Sequence, residues 1–167
     1  MRRRQGRHQP LYTSAERRRR NASPWTLVQG ILAPLQFAVF LVSLGLVLHT
    51  LATGQGAEAA NASVVVKTLV LYAIMVTGSI WEKAVFGRYL FAPAFFWEDV
   101  FSMLVLALHT AYLAALGFGL LRTQGLLVLA LAAYATYLVN AGQFLLKLRA
   151  ARLEAPAPVV LAGEGAR

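Results

Sequence analysis

Between positions 21 and 57 the chain carries no Asp, Glu, Lys or Arg, and its apolar part, 25–51, exceeds the roughly 20 residues that cross a bilayer as a helix. A buried soluble core helix does not need such a run. Three more follow. One covers 64–81, interrupted by Lys67 near its start, where a long side chain is expected to snorkel to the headgroups. The others cover 100–121 and 125–146. The sequence therefore predicts an all-α integral membrane protein of four transmembrane helices. It divides into a basic N-terminal segment 1–22, a membrane domain 23–153 and a loose Ala/Pro/Gly-rich tail 154–167.

Composition agrees with this reading and removes several chemistries. Hydrophobic residues make up 58% and charged residues 14%, against about a quarter charged in soluble domains. With no cysteine, disulfides, thiolate nucleophiles and cysteine-held metals are excluded. The net charge of +9 would suggest nucleic acid in a polar protein, yet eight of the sixteen Lys and Arg lie in the first twenty residues. We read that cluster as a topology signal and a binder of anionic lipid, not of nucleic acid. Fourteen Lys and Arg flank the spans on one side against Lys67 and Arg122 on the other, which places both termini in the cytoplasm.

A cleaved signal peptide is rejected because the first run is far longer than an h-region. The sequons at Asn21 and Asn61 are read as helix caps. No fixed-period repeat, P-loop, dinucleotide fingerprint, HExxH or GxSxG motif is present.

Function is sought among polar groups inside the bilayer, where each costs several kcal/mol unless it faces the bundle interior. Helical spacing lines up Thr68, Tyr72, Met75, Ser79 and Glu82 on the second span, and Glu98, Ser102, Val105, His109 and Tyr112 on the third. Gln29, Gln36 and Ser43 align on the first, and Thr136, Asn140, Gln143 and Lys147 on the fourth. Such seams serve helix association in the first instance. His109 stands apart, since an imidazole in mid-span can titrate, ligate a metal or move a proton.

The densest segment, 81–99, holds Glu82, Glu98, Asp99, Lys83, Arg88, Trp81, Trp97, Phe95 and further aromatics. Charges in an aromatic belt account for Lys83 and Arg88. Three acids beside flat apolar side chains suit a planar hydrophobic ligand and a carboxylic acid kept protonated for general-acid work. At this stage an enzyme, a non-catalytic pigment- or haem-binding assembly factor using His109 and Tyr112, and a proton-coupled transporter all fit.

The stretches PLYT at 10–13, ERRRRNASPWTLVQGILAPLQF at 16–37, IWEKAVFGRYLFAPAFFWEDVFSMLVLALHT at 80–110 and YLVNAGQFLLKLRAARL at 137–153 resemble the 3-vinyl bacteriochlorophyllide hydratase family. The resemblance implies addition of water to the C3 vinyl group of chlorophyllide or a close relative, giving a 3-(1-hydroxyethyl) group. It implies a bacterial inner or intracytoplasmic photosynthetic membrane as location, with other bacteriochlorophyll-pathway enzymes as neighbours. No protein-held metal or cofactor is expected, the magnesium being carried by the substrate.

For that reaction Glu98 or Glu82 is the expected acid, with Asp99 as ionised neighbour. His109 is the expected magnesium ligand or relay, and Lys83 or Arg88 the partner of the pigment carboxylate. Trp81, Trp97, Phe95, Tyr112 and Asn140 complete the expected binding surface.

Overall fold

The computed structural model describes residues 11–153, so the tail and the first ten residues lie outside the described part. Within it every regular element is a helix: α1 Ser14–Ala22, α2 Pro24–Thr53, α3 Ala57–Phe86, α4 Phe96–Gly117 and α5 Thr123–Leu153. The last four are long and apolar enough to cross a membrane. They run past the apolar stretches seen in sequence, because backbone hydrogen bonding continues into the polar ends where hydropathy no longer marks a helix.

Local chemistry sets the boundaries. Thr13 and Glu16 form a reciprocal capping box at the start of α1, a helix that charge patterning alone did not reveal. Pro24 opens α2, where a missing N–H costs nothing. The turn into α3 passes through Gly54 and Gly56 at φ 73° and 79°, a backbone region costly for any side chain.

The cap reading of the sequons is corrected. Asn21 lies inside α1, where it accepts from Arg20. Asn61 lies inside α3 and accepts from Tyr112 Oη at 2.8 Å. Ser23 occupies the N-cap of α2 without a side-chain cap bond.

The core repeats by sevens. Phe40 and Val47 of α2, Val64 and Leu71 of α3, Val105 and Tyr112 of α4, and Leu127 and Tyr134 of α5 all belong to one buried cluster. Each pair sits two turns apart on one face, the spacing of knobs-into-holes packing. The opposite faces present Leu27, Ile31, Val42, Leu69 and Val128 outward, as lipid requires of a spanning bundle.

The helices form two tight hairpins, α2–α3 and α4–α5, whereas α3 and α4 touch each other much less. Antiparallel order puts the start of α2, the end of α3, the start of α4 and the end of α5 together at the end where α1 packs. There a second cluster forms from Tyr12, Val85, Phe95 and Ala151, with Trp81, Phe86 and Phe144 against it.

Polar ties cross the apolar core. Ser43 Oγ lies 2.5 Å from Tyr134 Oη and 2.7 Å from Ser63 Oγ, joining α2, α3 and α5. Tyr134→Phe is expected to cost about 0.6 to 1.7 kcal/mol, measured as the loss of stability on unfolding in mixed micelles.

Lys67 departs from expectation. Its ammonium does not reach the headgroups; the residue is 0% exposed and its Nζ sits 3.8 Å above the Tyr137 ring. The reason is periodic: Ala60, Val64, Lys67 and Leu71 step by four, three and four along the buried face of α3.

Candidate active site

The carboxyl groups of Glu82, Glu98 and Asp99 all turn inward, with residue exposures of 5%, 6% and 4%. Glu82 lies near the end of α3, which stops at Gly87, whose φ of 81° is closed to most side chains and whose N–H bonds Lys83 O. The chain folds back over the bundle end. It enters α4 at Phe96, placing Glu98 and Asp99 in the first turn, where free N–H groups and the helix dipole favour negative charge.

The returning loop supplies donors. Phe91 N–H donates to Asp99 Oδ2 at 2.7 Å, and Ala92 N–H to Glu82 Oε2 at 3.4 Å. Phe91 holds φ at 58°, a left-handed conformation costing roughly 1–2 kcal/mol for a residue with a Cβ. Turning its N–H onto Asp99 partly offsets that strain.

The acids sort into two pairs. Glu82 and Asp99 lie within hydrogen-bonding reach of each other. Two carboxyl groups so placed can share a proton, which would give one donor and one acceptor side by side. Glu98 instead accepts from Lys147 Nζ at 2.6 Å. Lys147 also donates to Ala94 O and stands 5.0 Å over the Phe95 ring. The Glu98–Lys147 ion pair braces α4 against α5.

Other expected residues take different places. Phe95 is wedged among Tyr12, Trp81, Phe86 and Phe144 as packing. Burial in the same nest pushes the Tyr12 phenol above its ordinary pKa. Trp81 is half-buried, and its Nε1 donates to Thr26 Oγ1 at 2.9 Å. Trp97 is 65% exposed on the outer face. Lys83 and Arg88 are exposed, with Lys83 donating to Gly87 O.

Asn140 donates to Ser102 at 2.8 Å one turn inward from Glu98. Tyr112 lies toward the opposite end, bonded to Asn61. His109 is buried at 0% exposure, ten residues and so about 15 Å along α4 from Asp99.

Sequence reasoning put Lys147 on the polar seam of α5 without giving it a partner, and passed over the loop N–H groups of Phe91 and Ala92. Lys147 carried a signal, its position seven residues from Asn140 on one face of α5. The backbone donors carried none.

The chain is thus an all-helical protein with four helices long and apolar enough to cross a membrane, and with buried carboxyl groups, Glu82 and Asp99, gathered at one end of the bundle. The family described as 2-vinyl bacteriochlorophyllide hydratase matches residues 12–150. A protein of that name from Cereibacter sphaeroides is 68% identical over 148 residues, covering 88% of this chain and 91% of the relative. One of the same name from Rhodobacter capsulatus is 68% identical over 145 residues, covering 87% and 84%. No solved structure matches. The chain belongs to the 2-vinyl bacteriochlorophyllide hydratase family and is a hydro-lyase of bacteriochlorophyll biosynthesis.

Proposed function

We propose that the protein adds water across the C3 vinyl group of chlorophyllide a or a closely related macrocycle, with Glu82 and Asp99 as the proton-handling pair. The label 2-vinyl denotes the same substituent in the older ring numbering. The observation that carries the assignment is the burial of Glu82 and Asp99, each accepting a backbone N–H from the Phe91–Ala92 loop that folds over them.

The chemistry needs a proton delivered to the terminal vinyl carbon, leaving a cation on the carbon beside the ring, where conjugation disperses the charge. Water adds to that inner carbon, and its surplus proton returns to the carboxyl pair. Atoms balance as one alkene plus one water, and the pair ends as it began. An electron-rich pair of acids beside the developing cation lowers its energy while the expulsion of bulk water keeps the field strong. This route draws only on water and the chain's own groups, the magnesium arriving with the substrate.

The weak contact between α3 and α4 supports entry of a flat ligand from the bilayer. The two helices are tied by Tyr72 Oη and Thr110 Oγ1 at 2.8 Å and again by Glu82 and Asp99. Between these ties, over about 15 Å, α3 has no fully buried residue among those described. Asp99, Met103, Leu106 and Thr110 form the facing stripe of α4 by helical period. A macrocycle seated there would bring its edge to the carboxyl pair.

Topology follows from charge. With Lys67 enclosed in the bundle, Arg122 alone flanks the spans at the end away from the acids, against the Arg-rich α1, Lys83, Arg88, Lys147 and Arg149 at the site end. This supports a cytoplasmic active end, both termini on that side, and residence in the bacterial inner or intracytoplasmic photosynthetic membrane.

The deciding experiment incubates purified protein with 3-vinyl chlorophyllide in water labelled with 18O. The expected product gains one labelled water and carries the label in a 1-hydroxyethyl group. Pigment that binds stoichiometrically and returns with its vinyl group intact would instead make the protein a carrier.

A further inference from the structure

Eight buried side-chain N and O atoms lack a hydrogen-bond partner among the described residues, and six of them fall on one seam. They are both amide atoms of Gln36, Lys67 Nζ, His109 Nε2, Asn140 Oδ1 and Gln143 Oε1. Unpaired polar atoms in the dry interior of a membrane bundle are costly one by one. Their concentration along a single line calls for a common partner.

The line can be traced. At its inner end Lys67 stands over Tyr137, which packs on Phe40 at 5.0 Å, and Gln36 lies one turn from Phe40 toward the acids. The His109 ring lies 5.9 Å from Tyr134 on the same wall. Toward the acids, Asn140 and Gln143 follow Tyr137 along α5 at steps of three, and Lys147 with Glu98 closes the line four residues on.

The donor and acceptor inventory identifies the partner. Lys67 offers three donors and no acceptor. His109 Nδ1 lies 2.8 Å from Val105 O, a pure acceptor, so this nitrogen carries the hydrogen and Nε2 of the neutral ring presents a lone pair. Gln36 needs both an acceptor and a donor, while Asn140 Oδ1 and Gln143 Oε1 need donors. A carboxylate would satisfy Lys67 but not the lone pairs, and a metal cation would be repelled by Lys67. Water meets every requirement, since each molecule donates twice and accepts twice.

We infer that the seam between Lys67 and Glu98 is an internal water site that feeds the carboxyl pair from the interior side, while the pigment approaches from the α3–α4 side. This deepens the hydratase reading by giving the second reactant its own place. Lys67, His109 and Gln36 anchor the inner end, and Asn140 and Gln143 carry the line to the reacting end. Each is a positioning residue that acts through water.

The test is infrared spectroscopy of the full chain in detergent, without pigment, comparing D2O with D2 18O. Internal waters give isotope-sensitive O–D stretches apart from the bulk band. The wild type is expected to show them, and Lys67→Met and Gln143→Leu each to remove part of them. The same two variants are expected to lower kcat for vinyl hydration while leaving KM for the pigment unchanged. Absence of such bands in the wild type, or bands untouched by both substitutions, overturns the inference. Because the infrared measurement needs no substrate, failure of the hydratase reading alone would leave these bands in place.

Discussion

Glu82→Gln is expected to lower kcat for vinyl hydration by about 10²–10⁴-fold, the range lost with a positioned acid or base. Asp99→Asn is expected to do the same, because either amide ends proton sharing within the pair. The substitutions preserve shape. A Gln at 82 can still accept from Ala92 N–H, and an Asn at 99 from Phe91 N–H, so pigment binding and folding should persist. Rates measured in detergent on 3-vinyl chlorophyllide check this, with bound pigment quantified by absorbance. Wild-type kcat in both variants would remove the pair from the mechanism.

Lys147→Met carries the largest expected effect on stability. It leaves Glu98, whose side chain is only 8% exposed, without its cation. Stranding one member of a buried ion pair costs about 3–5 kcal/mol. The Lys147 side chain is 26% exposed, and solvent screening of the pair lowers the expected loss to about 2–3 kcal/mol. Pairing this change with Glu98→Gln should recover most of the loss, since no charge is then stranded. Thermal unfolding in detergent of the two single variants and the double variant checks both steps. A double variant as unstable as Lys147→Met alone would assign the role of Lys147 to its packing on Phe95 and its bond to Ala94 O.

Much of this architecture was legible because membrane helices announce themselves through missing charge. The four spans, their antiparallel order and the buried stripe Glu98, Ser102, Val105, His109 and Tyr112 of α4 follow from hydropathy and the helical period, and the structure places that stripe in the interior. Rotation of one helix against another is not encoded in any single helix. The sequence therefore grouped three acids without showing that Glu82 would meet Asp99 while Glu98 met Lys147.

The stripe drawn on α3 shows the same limit. Thr68 and Glu82 are buried, but Tyr72 lies half-exposed between them, bonded to Thr110. Between Leu71 and Glu82, α3 has no fully buried residue among those described, and Thr77 and Trp81 bond to Gln29 and Thr26 of α2 rather than to α4.

Lys67 was misplaced for a different reason. A charge near the end of an apolar run suggests snorkelling, yet its register with Val64 and Leu71 was the stronger signal, and an aromatic face replaces part of its lost hydration. The Phe91 and Ala92 donors come from backbone whose direction depends on the left-handed turn at Phe91, which no side-chain pattern foretells.

In the proposed reaction the Glu82–Asp99 pair protonates the vinyl group of a pigment held at the end of the bundle where the acids lie. Its most direct test is a single-turnover reaction with the Glu82→Gln/Asp99→Asn double variant, following bound pigment and hydroxyethyl product in the same sample. Stoichiometric pigment retained with its vinyl group unreacted is expected, where the wild type converts it. Conversion by the double variant at the wild-type rate would contradict this role of the pair.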